Sequence, residues 1–166
     1  MHDHSMHQNH NHEHHEEGRP RDYFVFGLII LGILLISYWL GNGWSMRHFM
    51  AVFFLAFGFF KVLDIPGFVS SYRAYDIIAK KFAGYAYAYP FIELLLGIGY
   101  LMDISWINWL TLALMIVGSI GVGKELLRGS KIKCACLGTF VKLPLTTVSL
   151  IEDVSMGIMA LIVILT

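Results

Sequence analysis

An all-α membrane protein is the fold class this sequence predicts: a four-helix transmembrane bundle with an extra transmembrane helix at its amino-terminal end. Three observations predict it. Apolar residues make up 57% of the 166-residue chain and charged residues only 14%, where a soluble domain carries about 25%. The apolar residues gather into runs, and a helix needs roughly 17–25 such residues to cross a bilayer. The basic residues collect between alternate runs, which is how cytoplasmic loops are marked.

The runs come in order. Residues 1–22 are read as a His-rich disordered cytoplasmic tail, because "MHDHSMHQNHNHEHHEE" has almost nothing to bury. Residues 23–41 hold the first uncharged run, the extra amino-terminal transmembrane helix. It exceeds an ordinary signal-peptide core and no A-x-A-like cleavage site follows it, so it is expected to remain as an anchor. The four-helix domain is then expected over residues 44–166. Its first span, within 44–63, has an apolar centre at 49–60 and borrows flanking residues to reach spanning length. Its second, 85–102, is broken only by Glu93, and its third, 106–123, is uncharged. Its last, 145–165, is broken only by Glu152 and Asp153.

Between the second and third of the five spans, Pro66-Gly67 is read as a turn. Phe68, Tyr72, Tyr75, Ile78 and Phe82 then recur at helical spacing, with Ser71, Arg73, Asp76, Lys80 and Lys81 falling mostly elsewhere. The pattern fits a short helix lying in the headgroup layer, or equally a packed connecting helix.

Eleven of the twelve basic residues agree with one orientation; only Arg47 lies on the other side. The expectation is a multi-pass protein of the inner (plasma) membrane, with its amino terminus and the 131–146 loop cytoplasmic and its carboxyl terminus outside. The formal net charge is zero with histidines neutral. No phosphate-binding glycine motif, serine nucleophile signature or basic surface is present, so no nucleic-acid partner is expected.

Three sets of residues can carry chemistry. His2, His4, His7, His10, His12, His14 and His15 lie close together in the tail, with Met1 and Met6 adding soft sulfur. Neutral imidazoles so spaced suit copper, zinc or nickel, and the competing readings are a purification tag or a solubilising tail. Lys61, Glu93, Glu152 and Asp153 fall within or at the ends of apolar spans, where charge is costly and seeks a partner inside the bundle. Lys61 can pair with Glu93 or with Glu152, either to fix packing or to handle protons. Small residues at Gly58, Gly97, Gly118 and Gly121 let helices approach closely.

The third set is Cys134 and Cys136, the only two cysteines, in a loop with Lys131, Lys133 and Lys142. Nearby ammonium groups stabilise thiolates. Such a C-x-C pair can cycle between dithiol and disulfide, bind a soft metal, or remain inert.

"FFLAFGFFKVLDIPGF", "YPFIELLLGIGYL" and "CACLGTFVKLPLT" together resemble the MauE/DoxX family of redox-associated membrane proteins, the methylamine-utilisation type, over about residues 47–165. The matching pattern is a G-x-x-K (Gly58, Lys61), an E-x-x-x-G (Glu93, Gly97) and a C-G-C-F-G-like loop (Cys134, Cys136, Gly138). Ala135 and Leu137 depart from that loop pattern. The resemblance implies a four-helix membrane bundle that handles thiols and disulfides while other proteins mature, with Cys134 and Cys136 as the redox pair. Lys61 and Glu93 would be its supporting intramembrane charges, and a thioredoxin-like protein its partner. The alternative is a copper- or zinc-handling membrane protein with a metallochaperone partner, and a third reading is a non-catalytic scaffold subunit.

Overall fold

The computed structural model describes residues 20–128 and 145–165, and these are helical with no strand among them. Seven helices follow in order: α1 (Pro20–Leu40), α2 (Met46–Leu63), α3 (Ile65–Tyr75), α4 (Ile77–Lys81), α5 (Ala83–Leu101), α6 (Ile107–Leu127) and α7 (Leu145–Leu165). Three stretches, Tyr23–Leu40, Met46–Leu63 and Ile107–Leu127, are long and apolar enough to cross a membrane. The chain is an all-α membrane protein in a lipid bilayer.

The bundle is assembled from two antiparallel pairs, each drawn together at glycines. In the α2–α5 pair, Gly58 faces Leu94 and Gly97 faces Leu55 and the Ala51 carbonyl. A methyl group at Gly97 would sit 2.7 Å from Leu55 Cγ, so only hydrogen fits between these two backbones as they stand. In the α6–α7 pair, Gly118 faces Asp153 and Gly157 faces Met115. Contacts from α2 to α7 and from α5 to α6 close the four helices into a ring.

Outside that ring, α1 packs on α2, through Phe26 edge-on to Phe57 and through the buried Ile33. Only 11% of its Tyr23–Leu40 stretch is buried inside the protein, against 44% of Met46–Leu63 in α2. Leu28, Leu31, Leu35 and Trp39 therefore face the lipid. The turn into α2 runs through Asn42 (φ 51°) and Gly43 (φ 142°), both in the left-handed half of the map.

The connection between α2 and α5 differs in detail from the sequence pattern. Pro66-Gly67 forms the first turn of α3: Asp64 is the N-cap, its Oδ1 accepting from the Gly67 amide at 3.1 Å, and Pro66 occupies a position where its missing N–H is not needed. One helix over 68–82 is expected, but the chain breaks at Asp76. Asp76 is fully buried and caps α4, its Oδ1 accepting from Ile78 N (2.9 Å) and Ala79 N (2.7 Å). Phe68, Tyr72 and Tyr75 are buried, which is the packed connecting helix, while Phe82 is exposed beyond it.

Candidate intramembrane charge site

Lys61 lies in the last turn of α2 and is 8% exposed. Its Nζ donates to Oε1 of Glu93 on α5, itself 4% exposed. Of the two partners open to Lys61 from sequence, the fold selects Glu93, because the close approach around Gly58 and Gly97 brings those stretches of α2 and α5 together. The ammonium also stands over the rings of Tyr89 (5.2 Å to the centroid) and Phe68 (5.5 Å), whose negative faces add to the attraction. Taking two ions out of water costs several kcal/mol each, and close geometry plus extra partners must offset it.

Behind this pair lies a cavity of about 40 Å³, lined by Lys61, Glu93, Tyr72, Tyr89, Glu152 and Asp153 among apolar side chains. At roughly 10–15 Å³ of such space per water, it holds a few waters at most. The second and third carboxylates come from α7, whose seventh and eighth steps from Leu145 put Glu152 and Asp153 about 10–12 Å along the helix. Asp153 is seated by Gly118: a methyl group there would come within 2.8 Å of its Oδ2. Oε2 of Glu93 and Oε1 of Glu152 are buried with no hydrogen-bond partner. Among the described residues the cavity thus has three carboxyl groups and one ammonium.

An aromatic layer roofs it. Tyr72 stacks on Phe68 (4.9 Å between centroids) and lies tilted against Tyr89 (4.6 Å), and Tyr85 leans on both tyrosines. Burial pushes the phenols of Tyr72 and Tyr75 on α3 well above their ordinary range, helped by the Tyr89 phenol beside Tyr72 and by Asp153 beside Tyr75. Both are therefore neutral hydroxyl groups at physiological pH. Phe68, Tyr72 and Tyr75 were marked in the sequence by their helical spacing, whereas Tyr85 and Tyr89 were not singled out, although their spacing of four puts them on one helix face.

A second polar cluster closes the end of the bundle nearer α4. Glu125 on α6 is 6% exposed and accepts from Lys80 Nζ at 2.6 Å and from Arg128 at 3.2 Å. The spacing of three between Glu125 and Arg128 was its visible signal. At the opposite end Arg47 pairs with Asp103 in the open.

The remaining sequence candidates fall elsewhere. His2, His4, His7, His10, His12, His14 and His15 lie outside the described residues, and so do Cys134 and Cys136. Among the described residues no group of three His, Cys, Asp or Glu side chains converges as a metal site.

Three described helices long and apolar enough to cross a bilayer, and a ring of four helices around a buried ion pair, define the class as a polytopic membrane protein. The family model for the methylamine utilisation protein MauE matches residues 30–166, and the chain belongs to that family. The match takes in Lys61, Glu93, Glu152, Asp153 and the Cys134–Cys136 loop, and leaves out the His-rich tail and the first half of α1. No curated protein and no solved structure matches the chain.

Proposed function

We propose that this MauE-family protein handles thiols and disulfides for other proteins during their maturation or electron transfer, with Cys134 and Cys136 as its redox pair. The observation that carries the reading is the family match, which runs unbroken across the loop holding both cysteines and the buried Lys61–Glu93 pair. Lys131, Lys133 and Lys142 favour the thiolate form of the pair.

The exchange balances without a further oxidant. One thiolate attacks the disulfide of a thioredoxin-like partner, forming a mixed disulfide and releasing one partner thiolate. The second cysteine attacks the mixed disulfide, closing the Cys134–Cys136 bond and releasing the other. The two thiol protons end on the two partner sulfurs, and the reverse reaction returns the pair to the dithiol. Lys61 and Glu93 support this role by tying α2 to α5 beside α7, the helix into which the cysteine loop leads. The distribution of basic residues favours five spans in an inner membrane, with the loop and the amino terminus cytoplasmic and the carboxyl terminus outside.

A maleimide gel shift of acid-quenched cells tests the reading. An oxidised fraction that is lost on prior reduction, and that disappears in Cys134→Ser/Cys136→Ser, is the expected result. Thiols that stay reduced under every condition, but become shielded when copper or zinc is added, would overturn it.

That second outcome belongs to the metal-handling reading, which seven histidines within the first fifteen residues favour. In it the tail gathers copper or zinc as cargo and a metallochaperone is the partner. Deleting residues 2–17 would then abolish metal uptake while leaving thiol exchange intact.

A further inference from the structure

We infer that the cavity inside the bundle is a proton-holding site, with Glu152 and Asp153 as the groups that carry the protons beside a fixed Lys61–Glu93 pair. The inference goes beyond the thiol reading and does not rest on it.

The charge balance comes first. Every charged or titratable group among the described residues that faces the cavity can be named by its element. α2 contributes Lys61, α5 contributes Tyr89 and Glu93, and α7 contributes Glu152 and Asp153. α3 contributes Tyr72 and Tyr75, and α6 lines it with Met115 and Gly118, which carry no charge. Asp76, at the α3–α4 break, lies close enough to act on Asp153 through its charge, and its Oδ1 is already committed to capping α4. Lys61 neutralises Glu93 by direct contact. Among the described residues no second cation lines the cavity, so Glu152 and Asp153 would leave two uncompensated negative charges in a low-dielectric interior if both were ionised. Charge so placed is strongly disfavoured and must be neutralised by a bound cation or by protons.

Unused hydrogen-bonding capacity points the same way. Oε2 of Glu93, 4% exposed, and Oε1 of Glu152 are buried acceptors without donors. A protonated carboxyl group is a donor as well as an acceptor, and so supplies what these oxygens lack. Gly118 keeps room beside Asp153 for its carboxyl group to lie against α6.

The size and chemistry of the cavity select the occupant. About 40 Å³ admits a few waters and excludes a quinone-sized ring. A hard metal ion calls for six or more oxygen ligands, whereas the described side chains offer no converging metal group and most of the lining residues are aromatic rings or methionines. Protons, relayed through those few waters, fit both limits.

The test is infrared spectroscopy of the full chain in lipid vesicles at neutral pH, reading the carbonyl stretch of protonated carboxylic acids and its downshift in heavy water. The expected result is a protonated-carboxyl band that loses one component in Glu152→Gln and another in Asp153→Asn. The band should persist unchanged in Cys134→Ser/Cys136→Ser, so the site survives even if the thiol reading fails. Should either amide variant fail to insert, the wild-type band decides: it must be present at neutral pH and must titrate away as pH rises. A spectrum with no protonated-carboxyl band at neutral pH would overturn the proposal, as would a band untouched by both amide variants. Loss of the band on adding sodium or potassium would overturn it in favour of a cation site.

Discussion

The same two helices are tied by an ion pair at each end, and the two pairs are opposites. Lys61 and Glu93 join α2 to α5 with side chains 10% and 6% exposed. Arg47, fourteen residues earlier and so about 20 Å along α2, joins it to Asp103 just past α5, with side chains 47% and 68% exposed. In the exposed pair each ion keeps most of its hydration, so the attraction is screened and the net gain is small. In the buried pair hydration is gone, and each ion depends on the other and on the rings beneath the ammonium. The contrast shows that an ion pair is judged by what remains when one partner is removed. At Arg47 water takes over, and at Lys61 nothing can.

The largest expected effect breaks the buried pair. Lys61→Met strands Glu93 in the cavity and should cost about 3–5 kcal/mol, read as unfolding in mixed detergent micelles. Lys61→Met with Glu93→Leu should recover most of that loss, because no unpaired charge is then left behind. If the double variant is as unstable as the single one, packing and not charge governs the site.

A middle-sized effect acts on the helix contact between the two pairs. Gly97→Ala places a methyl 2.7 Å from Leu55 Cγ and 3.0 Å from the Ala51 carbonyl. The leucine can turn aside but the carbonyl cannot, so a loss of about 1–3 kcal/mol is expected in the same assay. A neutral outcome would mean that α2 and α5 slide apart without cost.

The smallest effect is at the exposed pair. Arg47→Ala should change stability by no more than about 1 kcal/mol, and the difference should vanish at high salt. A large, salt-insensitive loss would make the two ends of α2 equivalent and dissolve the comparison.

Much of this architecture was legible in the residues. Apolar runs bounded by charges mark the helices, since the bilayer demands a length and an uncharged interior that few soluble segments share. Lys61 and Glu93 stood out for the same reason: charge in such a run has to be satisfied within the protein. Which carboxylate Lys61 chooses was not legible, because that depends on how deeply α2 sinks against α5 at Gly58 and Gly97. Asp76 was misplaced on the polar side of its segment. An N-capping aspartate has the same composition signal whether water or a packed helix surrounds it, and here α6 comes close enough at Gly121 to exclude water. Glu125 was overlooked because its basic partners look like ordinary charges at a membrane boundary.

The rings that cover Lys61 also make it a clock. Only the neutral amine reacts with acylating reagents, and it must meet them in water. Lys80 is 39% exposed and can do so in the folded protein, whereas Lys61 can do so only when α2 and α3 part. Its acylation rate, followed by mass spectrometry with Lys80 as the internal standard, therefore measures how often the bundle breathes open.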